Sequence, residues 1–175
     1  MDLSTEFLSS CIKRFKEYKT LGDKTFAQLG NEDLHRQPNE TSNSIAIVIQ
    51  HIHGNMLSRW TNFLTEDGEK EWRKRDDEFE IHSYSKEQLV QLWEDGWKLF
   101  LETLESLKED DLLKTVTIRT QPLIVIDAIN RQLAHYSYHV GQIVYLGRWI
   151  RNEGWKSLSI PKSGSEVFNQ EMKKR

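Results

Sequence analysis

Apolar residues recur along this chain at the three- and four-residue steps of helices that bury one face. From about Ser4 to Leu29, the series Phe7, Leu8, Cys11, Ile12, Phe15, Tyr18 and Leu21 marks one such face. Gly30 and Asn31 break the pattern, and Pro38 keeps the next segment from forming a long helix. Asn43 or Ser44 offers an N-cap to a second helix, Ile45 to about Leu64. Its first turns (Ile45, Ile47, Val48, Ile49, Ile52) are apolar around most of the circumference, as a deeply buried helix requires. Residues 65–84 lose the periodicity and carry dense mixed charge, which reads as a long solvated connection that Trp72 and Phe79 pack back onto the body. Ser85 and Gln88 have capping-box spacing, and a third helix follows through Leu89, Trp93, Trp97, Phe100 and Leu104. Residues 114–119 and 123–126 read, taken alone, as a small β-hairpin. The preferred reading instead starts a fourth helix near Ile124, because 127–150 is strongly helical, and Gly154 is placed to end it.

The expected fold is therefore all-α: a four-helix bundle over residues 1–152 with a long crossover connection between helices 2 and 3. Residues 153–175 form a tail in which Trp155, Ile160, Val167 and Phe168 are too apolar to dangle. It should pack along the bundle and include a short helix, with Ser163 and Glu166 at capping-box spacing.

Composition narrows the function classes. The length of 175 residues suits one domain with a genuine core. With 24 Lys plus Arg against 27 Asp plus Glu, the net charge of −3 leaves no basic surplus for nucleic acid. Cys11 is alone, so neither an internal disulfide nor a Cys-rich zinc site is available, and its apolar neighbours place it in the core. The first residues lack a signal-peptide pattern, and no window approaches the ~20 apolar residues of a membrane span. The expected location is cytoplasmic.

The histidines carry the chemistry. His135 and His139 lie four apart and share a helical face, a spacing at which two neutral imidazoles can hold one metal ion. Tyr136 stands where the metalloprotease motif needs glutamate, which disfavours that chemistry. Arg131, Gln132, His135, His139 and Gln142 form a polar stripe on an otherwise apolar helix. Facing inward, the stripe needs a compensating partner such as a metal; facing outward, it is simply solvated. A third ligand must come from another helix, and His51 and His53 are the candidates. Apolar periodicity leans toward His53. Gly54, about 1 kcal/mol worse than alanine inside a helix, suggests close approach of another helix, although plain packing would also explain it. His35 and His82 read as surface residues. Arg59 and Arg131 could hold an anionic substrate group, but ion pairs in the bundle are the preferred reading.

The run from His135 to Ile143 (HYSYHVGQI) and the run from His51 to Trp60 (HIHGNMLSRW) resemble the two metal-bearing segments of the DinB/YfiT-like superfamily. The resemblance spans most of residues 1–152 and selects His51 over His53, since the first histidine of the second-helix segment is the ligand there. It implies a four-helix bundle holding one nickel or zinc ion on His51, His135 and His139, with positions open to water. Asn55 and Gln142 are then the residues placed to orient the ligands, and Arg131 a substrate contact. The implied activity is transfer of a low-molecular-weight thiol (mycothiol, bacillithiol or glutathione) or hydrolysis of a small molecule, with the metal generating the nucleophile. Relatives are often homodimers. The sequence departs from the superfamily at Leu123, where a polar residue or histidine is expected, and Leu123-Ile124 offers no good N-cap. The alternative from another class is a non-catalytic bundle that binds a small ligand or partner, with the metal as a structural pin.

Overall fold

Asp2 starts the first helix in the computed structural model, which describes residues 2–174. Its carboxylate accepts the backbone N–H groups of Ser4 and Thr5, and α1 runs Leu3–Phe26. The helix stops short of Leu29 because the backbone tightens: Gln28 and Leu29 donate three residues back, to Thr25 and Phe26. The Asp33 carboxylate then accepts the Gly30 N–H and opens α2, Asn31–His35, a helix too short for any periodicity to announce. Ser44 caps α3, Ile45–Trp60, by accepting the Ile47 N–H. That helix ends before Leu64, and Asn62 turns into the left-handed region at φ 51°. The Ser85–Gln88 capping box opens α4, Lys86–Ser106, as its spacing foretells.

The hairpin and the last long helix are not alternatives; both exist. Strand β1, Thr115–Ile118, pairs antiparallel with β2, Gln121–Ile124, and α5, Val125–Arg151, begins where β2 stops. No side chain caps α5. The carbonyls of Lys114 and Leu112 instead accept the N–H groups of Val125 and Ile126, so backbone leading into the hairpin supplies what Leu123-Ile124 cannot. The two-residue turn at Arg119 and Thr120 has φ of 53° and 63°, a conformation that favours asparagine and glycine. It is held from outside by the Asp67 carboxylate, which accepts both backbone N–H groups at 2.8 Å.

Asn152, at φ 49°, ends α5, and Gly154 lies beyond it in a short 3₁₀ turn. In the tail, Trp155 packs over Gly147, and Gln28 bonds both the N–H and the carbonyl of Lys156. The terminal helix α6, Ser165–Met172, follows Gly164 without a side-chain cap from Ser163. It buries no residue, and Ile160, Val167 and Phe168 are exposed. The tail therefore packs at its root, not along α6.

The protein is thus mainly helical, with six α-helices and one two-stranded sheet among the described residues. Helix α3 lies against α4 and α5, and α1 against α5 and α4. Between them sits an aromatic core of Phe15, Trp60, Trp93, Trp97, Phe100 and Tyr136. Phe15 meets Phe100 edge-on with centroids 4.5 Å apart, the arrangement that ring quadrupoles favour. Cys11 is buried and unpaired in this core. Among the described residues, no helix is long and apolar enough to cross a membrane.

Candidate metal centre

One face of α5 carries His135 and His139, and α3 brings His51 against them. His135 Nε2 lies 3.1 Å from His139 Nε2 and 3.4 Å from His51 Nε2. On each ring the other nitrogen faces an oxygen. His51 Nδ1 is 2.9 Å from the Glu78 carboxylate, His135 Nδ1 3.2 Å from Gln132 Oε1, and His139 Nδ1 2.8 Å from Gln142 Oε1. A carboxylate and two amide oxygens can only accept, so each Nδ1 carries its proton and donates. With their Nδ1 atoms so committed, the three rings turn their Nε2 atoms toward one another. A cation is what such a donor set accommodates. Two nitrogens held at about 2.0–2.1 Å by one tetrahedral zinc are roughly 3.3 Å apart, which fits the spacings here.

Glu78 reaches His51 from the connection between α3 and α4, on a single 3₁₀ turn, Asp76–Phe79. Arg73 grips the same carboxylate through two N–H groups at 2.7 and 2.9 Å. Phe79 packs its ring on His51 at 4.8 Å between centroids. Gly54 makes room, because a Cβ there would overlap the Glu78 carboxylate. The close approach that Gly54 signals is thus a side chain of the connection, not another helix. The reading of residues 65–84 as solvated is corrected accordingly: the side chains of Arg73 and Glu78 are only 2% and 9% exposed. Phe79 packs inward as expected, whereas Trp72 stays exposed. Further latches tie this segment down. Ser58 and Arg59 donate to the Gly68 carbonyl, and the Gly68 N–H bonds Thr117.

Burial, then the neighbouring imidazoles and Arg131, push His135 down to about 3. Burial also lowers His139, although its bond to Gln142 works the other way. For Glu78 burial favours the protonated acid, but His51 and Arg73 outweigh it and hold the group below the usual carboxylate range. The site thus favours neutral His135 and His139 and an ionised Glu78, protonation states that cation binding needs.

A cavity of about 240 Å³ opens beside the cluster, with His51 and His135 among its lining and five arginines around it: Arg59, Arg73, Arg75, Arg119 and Arg131. A larger groove of about 1030 Å³, between α1 and the end of α4, is lined half by lysines and acids and half by apolar and hydroxyl residues, and contains none of the three histidines. The smaller cavity is the one with chemistry.

The structure brings together His51, His135, His139 and Gln142 as a cluster, and Arg131 lines the adjoining cavity. Asn55 also lines that cavity, but its side chain accepts from the Tyr136 hydroxyl and bonds none of the three imidazoles. The same hydroxyl accepts from the Trp60 indole. His53 points toward Gly96 of α4 and lies outside the cluster. Sequence reasoning assigned no role to Glu78, Gln132 or Arg73. Gln132 was within reach, since it stands three residues before His135 as Gln142 stands three after His139. Glu78 and Arg73 lie in a segment without periodicity, and only Gly54 hinted at them.

Fold and cluster together define a class: a mainly helical protein with a largely buried three-imidazole cluster beside a cationic cavity. Residues 2–164 match a family model described as "Protein of unknown function (DUF1572)", and the chain belongs to that family. No curated protein matches it significantly.

Proposed function

We propose that this protein is a divalent-metal-dependent enzyme of the DinB/YfiT-like kind acting on a small molecule, either as a low-molecular-weight-thiol S-transferase or as a hydrolase. In this reading α1, α3, α4 and α5 are the four helices of the bundle, and residues 61–85 are its crossover. The observation that carries it is the convergence of three Nε2 atoms whose Nδ1 partners are each committed to an oxygen acceptor. His51, His135 and His139 would hold nickel or zinc, while Glu78, Gln132 and Gln142 fix the ring orientations. A bound divalent ion supplies a Lewis acid that lowers the pKa of a water or a thiol.

A structural pin would need a fourth protein ligand. Among the described residues no further His, Cys, Asp or Glu joins the cluster, and Glu78 is engaged by His51 and Arg73. The adjoining cavity also favours a site that admits a small molecule.

Metal analysis of the purified protein tests the reading. One nickel or zinc per chain is expected, lost in His51→Ala and retained in His53→Ala. Metal content unaffected by His51→Ala would overturn the assignment. A thiol–electrophile conjugation screen and a hydrolysis screen on the metal-loaded protein then separate the two activities.

A further inference from the structure

The cavity beside the imidazoles is strongly cationic in a protein whose net charge is −3. Five arginines line it and no aspartate or glutamate does. Three carboxylates reach those arginines from outside the lining: Glu69, Glu78 and Asp76. Glu69 lies 2.9 Å from Arg59, 3.2 Å from Arg119 and 3.5 Å from Arg73, and Glu78 is bonded to Arg73. A network built only for stability would neutralise itself, as Arg59 and Arg73 nearly do. The others do not. Arg75 meets only Asp76, at 3.6 Å and with the aspartate fully exposed, while its guanidinium lies over the Phe79 ring. Arg131 has no ion pair and no side-chain hydrogen bond among the described residues. Five positive charges against the three carboxylates of Glu69, Glu78 and Asp76 leave a surplus of two around the cavity, carried on the exposed Arg75 and Arg131.

The placement of this surplus relates it to the imidazoles. Arg131 precedes His135 by one turn on the same face of α5, about 6 Å along the helix axis between Cα atoms, and both side chains line the cavity. From the other side, Arg75 covers Phe79 and Phe79 covers His51. Planar guanidinium forks match the paired oxygens of carboxylates and phosphates. Asn55 and Gln132 add neutral polar groups to the wall. The volume, about 240 Å³, suits a small anionic group rather than a whole large ligand.

We propose that this cavity is an oxyanion subsite that takes a carboxylate or phosphate of the substrate, with Arg131 as the principal contact and Arg75 and Arg119 at the rim. The word substrate rests on the enzyme reading above; the anion site itself does not require the metal. It holds the anionic end of the molecule one helical turn from the imidazoles and so sets which atom faces them.

The full-length protein, stripped of metal, is titrated with inorganic phosphate and with succinate at constant ionic strength, using chloride as the reference. Calorimetry should show one saturable site for at least one of the two anions. At tenfold its dissociation constant, that anion should raise the melting midpoint by roughly 3–6 °C. Arg131→Gln should weaken binding by about tenfold or more, and Arg75→Gln by less. Arg14→Gln, on the exposed face of α1, should leave it unchanged. The preferred anion identifies the group. Equal responses to phosphate, succinate and chloride, or Arg131→Gln binding like the parent protein, would overturn the subsite. Anion binding without stoichiometric metal would leave the subsite standing and remove the enzyme reading. Stoichiometric metal without anion binding would do the reverse.

Discussion

Replacing Gly54 with alanine sets two effects of opposite sign against each other. Inside a helix glycine is about 0.8–1 kcal/mol worse than alanine, so α3 alone would gain from the change. The added Cβ, however, would stand 2.7 Å from the carboxyl carbon of Glu78, closer than real contacts allow. Glu78 can rotate away at little steric cost, but only by leaving the 2.9 Å bond to His51 and both bonds to Arg73. Charge-assisted bonds of this kind contribute about 1.5–3 kcal/mol each, and Arg73 keeps only its longer contact to Glu69 at 3.5 Å. The freed carboxylate and guanidinium regain most of this from water, so the net loss is that of one such bond, ~3 kcal/mol. After the helix gain, Gly54→Ala should cost about 2 kcal/mol, a fall of roughly 4–8 °C in the melting midpoint for a chain of this size. His51 also loses the acceptor that fixes its tautomer, so zinc affinity should drop about 10- to 100-fold. Melts of the metal-free protein by circular dichroism test the first limb, and competition titration with a zinc chelator tests the second. Glu78→Gln, which keeps an acceptor oxygen without the charge, should fall between parent and Gly54→Ala in both. A Gly54→Ala protein that melts higher than the parent and binds zinc equally well would refute the reasoning.

Other outcomes follow from the same contacts. Because His135, His139 and His53 titrate lower in the folded protein, the unfolded chain takes up protons first as pH falls. Stability of the metal-free protein should therefore be full above the ordinary histidine pKa of about 6.5 and decline below it toward pH 3, read as a falling melting midpoint between pH 7 and 5; a flat profile would count against buried neutral imidazoles. Asp67→Ala removes the acceptor for the Arg119 and Thr120 N–H groups and should cost about 1–2 kcal/mol, with faster amide exchange concentrated in the β1–β2 turn. Unchanged exchange there would show that the turn holds its left-handed residues unaided. Burial opposes the Asp67 charge, but the backbone N–H groups of Glu69, Thr120 and Arg119 draw its carboxyl down to about 2, so this latch should survive at pH 4.

What was legible in the sequence was what repeats or sits close together. The four long helices announce themselves through apolar spacing, and the Ser85–Gln88 box marks the start of α4 to the residue. His135 and His139 are neighbours because a helix makes them so. His51 was a different matter. On a helix buried nearly all round, apolar periodicity gives no direction, and it leaned toward His53; the family resemblance chose the histidine that the fold brings to the other two. What stayed hidden depends on residues far apart in sequence. The hairpin turn uses Arg and Thr where glycine or asparagine would signal it, because Asp67, 52 residues before Arg119, supplies the stabilisation. Glu78 looked like one acid among many. Nothing local distinguishes a carboxylate that will be buried against Arg73 and His51 from one that will face water.

The latched connection has a thermodynamic consequence. Glu78 touches both the imidazole cluster, through His51, and the body of the connection, through Arg73. A cation that prefers His51 with its Nδ1 proton held by Glu78 must stabilise the closed form of residues 61–85 by the same factor by which that closed form tightens the cation, since linkage between two equilibria is reciprocal. The loop and the ion would then report on each other. Amide protection across 61–85 becomes a gauge of occupancy at three histidines, only one of which the loop touches.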